Sequence, residues 1–174
     1  LGLGPGLAAG DAQRPGPANA TSTMSFAAVA YVLKCLIAED IPVNDGFYRT
    51  INMIAPEGTV VNARHPAPVA GGWEVTMRLA ETILRALAPA IPDRVVAATK
   101  GCICNIAFGG VDPRTGDYYT FYETIGGGHG ARPCKDGMDG VQTHVHNTEN
   151  SPVEETEVNY PVRILRYELI EDSG

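Results

Sequence analysis

The stretch Gly71-Gly-Trp-Glu-Val-Thr-Met-Arg-Leu-Ala-Glu-Thr-Ile-Leu-Arg-Ala-Leu-Ala-Pro89 carries the strongest periodic signal in the chain. Val75, Leu79, Ala80, Ile83, Leu84, Leu87 and Ala88 recur at the spacing of one helical face, with Glu74, Arg78, Glu81 and Arg85 elsewhere. Pro89 and Pro92 stop the helix, because proline brings no N–H and clashes with the preceding turn. A helix with one apolar face must bury it. Downstream, β-rich runs at residues 102–108 and 118–124 flank Asp112-Pro-Arg-Thr-Gly116, a turn composition suited to a hairpin, and this sheet is the expected partner. Residues 141–147 and 162–170 read as two further strands. Upstream, Thr21-Ser-Thr23 offers N-cap hydroxyls to a helix over residues 24–37. That helix is apolar nearly all round except for Lys34, so it is expected to be buried, and Pro42 marks its end. Residues 50–55 alternate, Pro56-Glu-Gly58 is a turn and residues 59–61 resume extended structure, which predicts another hairpin. Helices mixed with antiparallel strands in this order predict an α+β fold: a mixed, largely antiparallel sheet with two packed helices.

Composition narrows the class. With 174 residues the chain can bury one sizeable core. Forty-four per cent hydrophobic and 19% charged residues describe a globular protein rather than a disordered one. Thirteen Lys and Arg against twenty Asp and Glu leave a net charge of −7 with no basic cluster, which disfavours nucleic acid as a partner. No apolar run is long enough to span a bilayer, and no secretory leader is readable, so neither a membrane nor secretion is indicated. The four cysteines are read as thiols, since a chain with this much aliphatic content does not need disulfides to fold.

Chemistry concentrates between residues 122 and 154. Gly126-Gly-Gly-His-Gly130 follows a strand, and backbone without Cβ atoms can bring N–H groups close to an anionic oxygen. The alternative is a tight turn or a close backbone crossing. No P-loop is present, because no Lys-Ser or Lys-Thr follows and Pro133 interrupts any helix. His144 and His146 form an H-x-H pair, whose imidazoles on an extended strand would share a face about 6–7 Å apart, within reach of one metal ion. A third ligand would have to come from His129, Asp136, Asp139, Glu149 or Glu154, none at a diagnostic spacing, so no metal is assigned to this chain. The Cys102-x-Cys104 pair reads as small thiols on a half-buried strand. Arg132 could grip a carboxylate or phosphate with two parallel hydrogen bonds, Asn147 could orient a carbonyl, and Glu154 could act as a base.

Several motifs in a fixed order resemble one family. Gln13-Arg-Pro-Gly-Pro-Ala-Asn-Ala-Thr21, Leu36-Ile-Ala-Glu-Asp-Ile-Pro-Val-Asn-Asp-Gly46, Ile54-Ala-Pro-Glu-Gly58, Val69-Ala-Gly-Gly-Trp-Glu74, Phe108-Gly-Gly-Val-Asp112, Tyr122-Glu-Thr-Ile-Gly-Gly-Gly-His-Gly-Ala-Arg132, Pro152-Val-Glu154 and Tyr160-Pro-Val-Arg-Ile-Leu-Arg-Tyr-Glu168 are similar to segments of the hydantoinase B family. That family includes components of N-methylhydantoinase, 5-oxoprolinase, acetone carboxylase and acetophenone carboxylase. The resemblance enters the family's subunit partway through, so the chain reads as a C-terminal-half fragment of a larger subunit, with residues 13–174 matching and residues 1–12 an unmatched, disordered run. It implies a cytoplasmic hetero-oligomer in which an A-type subunit uses ATP and Mg²⁺ to activate the substrate and the B-type subunit completes the reaction. A divalent metal would lie in the amino-terminal part. The implied function is ATP-dependent hydrolysis of a cyclic amide of the hydantoin or 5-oxoproline type, with ketone carboxylation or a purely assembly role as alternatives; the isolated chain is expected to be inactive. The expected catalytic residues are His144, Glu154 and Asn147, and the expected substrate or phosphate contacts are Gly126, Gly127, Gly128, His129, Gly130 and Arg132.

Overall fold

The computed structural model describes residues 10–37 and 40–169. Its elements run in the order α1 (Ser22–Leu36), α2 (Asp45–Tyr48), α3 (Gly72–Leu87), β1 (Asn105–Val111), β2 (Tyr118–Thr124), β3 (Gly128–His129), β4 (Met138–Asp139) and α4 (Val153–Asn159), with a 3₁₀ turn at Pro92–Arg94 between α3 and β1. The class is α+β.

The two long helices form where the sequence places them. The Thr21 side chain accepts from the Met24 N–H and caps α1, and Pro89 follows α3 within two residues of its end. They pack on each other. Val32 of α1 meets Ala80, Ile83 and Leu84 of α3 in a closed core, with Leu36, Leu79 and Val96 at its margin. The buried face of α3 also takes in Thr76 and Met77. The expectation that α3 packs on the hairpin is therefore corrected: its apolar face is satisfied by α1. Much of α1 remains at the surface, because only Ser25, Ala28, Ala30 and Val32 are fully buried along it.

Strands β1 and β2 pair antiparallel with Phe108 opposite Phe121, whose rings stack with centroids 4.7 Å apart. Asp112 fixes the turn. Its carboxylate accepts from the Arg114 backbone and guanidinium, and Arg114 also donates to the Val158 and Asn159 carbonyls at the end of α4. Tyr160 closes against Phe121 at 5.0 Å.

Four predicted strands are absent among the described residues, the run 59–61 keeping only isolated bridges at Thr59. Residues 50–55 are irregular, and the Glu57-Gly58 turn is instead held by residues 11–13: the Gln13 N–H donates to the Gly58 carbonyl and the Val60 N–H to that of Asp11. Residues 10–12 are thereby part of the fold, whereas residues 1–9 of the run expected to be disordered lie outside the described residues. Residues 141–147 turn rather than extend, and residues 162–169 join no ladder; residue 170, the end of that predicted strand, is outside the described residues. β-rich composition favours a strand only where a neighbour offers an edge to pair with, and none of these segments joins a ladder among the described residues.

Candidate functional site

The glycine loop leaves β2 and threads between two other segments of the chain. The Lys100 N–H donates to the Gly128 carbonyl, the Gly140 N–H to that of Gly127 and the Ala97 N–H to that of Ala131. The packing is tight enough to demand glycine at both ends of the loop. A Cβ on Gly126 would stand 2.5 Å from the Gly140 carbonyl oxygen, and one on Gly130 would stand 2.1 Å from that of Ala97. The Gly126 N–H is already taken by the Asn150 side chain at 2.8 Å. Of the two readings of the glycines, the backbone crossing is therefore the one with a visible physical cause.

What the crossing achieves is the placement of His129 and Arg132. Together with His144, Tyr31, Cys35 and Arg94 they line a cleft of about 450 Å³ beside α1. Arg132 has no carboxylate partner among the described residues, and its Nε is buried without a hydrogen bond. The His129 Nδ1 lies 2.8 Å from the Gly130 carbonyl, a contact that holds the ring when that nitrogen carries the proton.

His144 sits deeper. It adopts a left-handed φ of 54°, in a turn closed by the His146 N–H donating to the Thr143 carbonyl, and its side chain is 2% exposed. Its ring meets Tyr31 edge-on at 6.1 Å and His129 at 6.4 Å. Burial pushes its pKa below the ordinary imidazole value; the Glu81 carboxylate opposes that shift and His129 adds to it. The imidazole is thus held neutral at neutral pH. Its Nε2 stands 3.7 Å from Glu81 Oε1, too far for a hydrogen bond, and makes none elsewhere. Burial also raises the Tyr31 phenol, with the Cys35 thiol beside it as the second cause.

Glu81 was hidden in the sequence among the solvated positions of α3. It is 14% exposed. Burial opposes its ionisation, but the Thr99 hydroxyl at 2.7 Å, the Thr99 N–H at 2.9 Å and the Arg78 guanidinium at 2.7 Å outweigh that and hold its pKa low. The i,i+3 spacing to Arg78 marks Glu81 only as an ordinary surface pair, because the Thr99 groups that hold it come from a loop eighteen residues on.

The remaining expected residues do not converge on the cleft. The H-x-H geometry is overturned by the turn at His144: His146 points away, its Nε2 beside the Thr148 hydroxyl at 3.3 Å. Asn147 is exposed, and Glu154 is exposed in the first turn of α4. Among the described residues, no three His, Cys, Asp or Glu side chains cluster as a metal site, and no helix is long and apolar enough to cross a membrane.

Comparison with known proteins agrees with the motif order. The profile of the Hydantoinase B/oxoprolinase family matches residues 7–174. Uncharacterized protein MJ0963 of Methanocaldococcus jannaschii is 45% identical over 93% of this chain and 28% of its own length. The 5-oxoprolinase 1 of Arabidopsis thaliana is 37% identical over 90% of this chain and 12% of its own. The crystal structure of ATP-dependent caprolactamase from Pseudomonas jessenii superposes with a TM-score of 0.79 at 32% identity, covering 94% of this chain and 29% of that one. The chain therefore spans less than a third of the length of these relatives. It belongs to the hydantoinase B/oxoprolinase family.

Proposed function

We propose that this chain forms part of the B-type component of an ATP-dependent cyclic amide hydrolase, and that its cleft receives the activated, anionic form of the amide. The observation that carries this reading is the meeting of an unpaired Arg132 with a buried, neutral His144 across one cleft of about 450 Å³. An amide carbon is a poor electrophile and its nitrogen a poor leaving group. Phosphorylation of the amide oxygen by ATP with Mg²⁺ on an A-type partner gives an imidoyl phosphate whose carbon is open to water and whose nitrogen can take a proton. The C–N bond then breaks, and phosphate is released when the resulting acyl phosphate is hydrolysed. An anion so formed needs a cation that can grip it bidentately, which a guanidinium supplies. It also needs a group that can accept a proton from attacking water at neutral pH, which a neutral imidazole supplies. His129, its ring 6.4 Å from that of His144 in the same cleft, would orient the bound oxygen. The relatives that act on 5-oxoproline and caprolactam by name support a lactam or imide ring as the substrate class, and the cytoplasm as the place of action follows from its ATP supply.

A second role rests on a separate observation. Ile106, Val111, Tyr118 and Tyr122 expose apolar surface along the β1–β2 hairpin, and Trp73 does so at the start of α3. This surface suits contact with the rest of the subunit or with the A-type partner.

The test uses the full-length protein carrying this sequence, purified with its A-type partner and assayed for ATP-dependent opening of 5-oxoproline, hydantoin and caprolactam. Arg132→Ala and His144→Ala are expected to lower kcat by about 10²-fold with the complex still assembled, as for loss of one positioned acid–base or anion-binding group. Glu154→Ala is expected to retain near-normal turnover. Near-normal rates in both cleft variants would overturn the catalytic reading in favour of the assembly role, and ATP-dependent carboxylation of a ketone without amide hydrolysis would replace the reaction.

A further inference from the structure

The two thiols at the start of β1 form a site that the hydrolytic reading does not use. Cys102 Sγ and Cys104 Sγ lie 3.1 Å apart. On an extended strand, side chains two residues apart stand about 6–7 Å from each other and point in parallel. Here the chain is curled between them. Gly101 has a φ of 65° and Cys104 a φ of 49°, so left-handed residues at both ends of the segment bend the two Cβ atoms toward one another. This also explains why β1 begins at Asn105 rather than at residue 102.

The curl is anchored from inside. Ile103 is 3% exposed, and its N–H donates to both oxygens of the Glu74 carboxylate, at 3.1 and 3.2 Å. The Cys104 carbonyl accepts from the Ile125 N–H, which ties the same segment to the start of the glycine loop. With the central residue buried and clamped, the flanking thiols are turned outward. Cys104 is exposed and Cys102 half-buried. The thiols are therefore not the small core hydrophobes that a half-buried strand would make of them.

We propose that Cys102 and Cys104 are a reactive dithiol that closes to an intramolecular disulfide by exchange with a small-molecule disulfide such as oxidised glutathione. One cysteine thiolate attacks a sulfur of the glutathione disulfide, forming a mixed disulfide and releasing one glutathione thiolate. The second cysteine thiolate then attacks the protein sulfur of that mixed disulfide and releases the other. Two cysteine thiols are oxidised and one glutathione disulfide is reduced to two glutathione thiols, with the cysteine protons passing to the released thiolates. The sulfurs need to approach by about 1 Å to reach bonding distance. The Cys104 thiol is raised above its ordinary pKa, first by its hydrogen bond to Cys102 and then by burial, so it keeps its proton at neutral pH and exchange through it quickens as pH rises.

The experiment uses the whole chain with Cys35→Ser and Cys134→Ser, so that only the pair remains. The protein is incubated with mixtures of reduced and oxidised glutathione, quenched in acid, alkylated and weighed by mass spectrometry. The expected result is the joint loss of both alkylatable thiols, with the mass of two hydrogens lost and no retained glutathione. Adding Cys104→Ser should leave a stable adduct of one glutathione on Cys102. A folded chain should also close faster than the same chain in urea, because the bend at Gly101 and Cys104 exists only in the fold. Persistent glutathione adducts on the unmutated pair, disulfide-linked dimers in place of internal closure, or equal rates with and without urea would each overturn the proposal.

Discussion

Replacing Glu81 isolates the physical link between α3 and the cleft. Its carboxylate receives two bonds from Thr99 and one from Arg78. The Arg78 side chain is 61% exposed, so solvent screens that contact and it contributes little. The Thr99 bonds reach an ionised acceptor that is mostly buried, a setting in which each hydrogen bond is worth about 1.5–3 kcal/mol before discount. Since Thr99 itself is only half-buried, Glu81→Ala should cost about 2–3 kcal/mol in all, and Glu81→Gln, which keeps an acceptor for Thr99, about 1 kcal/mol. Urea unfolding followed by the fluorescence of Trp73, the single tryptophan, reads this directly because that residue lies in α3. The pH dependence has a defined sign. Glu81 is depressed below its ordinary 4.5 in the folded chain, so its contribution is present above that value and is lost as pH falls through the lower folded value. His144 is depressed below its ordinary 6.5, so the unfolded chain takes up the proton first and stability also falls as pH drops below 6.5. Glu81→Gln abolishes the first effect and deepens the second, because protonated His144 loses the anion that faces it. A Glu81→Ala variant within about 0.5 kcal/mol of the parent, or a Gln variant as damaged as the Ala one, would refute the reasoning.

Gly130→Ala, whose Cβ meets the Ala97 carbonyl, should lower the melting temperature sharply in differential scanning fluorimetry, whereas Gly128→Ala, with the Met138 carbonyl oxygen at 3.4 Å as its sole close neighbour, should be nearly silent. Asn150→Ala should remove the bond to the Gly126 N–H, cost about 1 kcal/mol and speed amide hydrogen exchange at Gly126, as read by NMR. His144→Gln should weaken, without abolishing, the fall in stability through the imidazole range in acid-titrated urea melts, since one of the two imidazoles that burial depresses is gone and His146 remains.

The local signals in the sequence were sufficient for the two long helices and for the central hairpin, but not for the short helices α2 and α4. Thr21 caps α1, Pro89 closes α3 and the Asp112–Gly116 turn joins β1 to β2, because each of these acts through backbone groups a few residues away. The motif order was sufficient for the family, since eight short segments in register constrain far more than one glycine loop. Residues 50–55, 141–147 and 162–169 were misread as strands because β propensity reports how well a side chain sits on a pleated surface, and only the assembled chain decides whether an edge is there to pair with. The cleft was legible in its residue types but not in its membership. His129, Arg132 and His144 meet because residues 97–100 and 138–141 pass on either side of the glycine loop, whereas Asn147 and Glu154, equally plausible as letters, fall outside. The C-x-C pair was legible as letters, but neither the close contact of its thiols nor the setting of Glu81 was: one depends on two left-handed residues whose φ values the tertiary fold imposes, the other on a hydrogen bond to Thr99 across a loop. Side-chain chemistry is written residue by residue, but which groups share a site is set by chain crossings, and these are decided by packing that no local window contains.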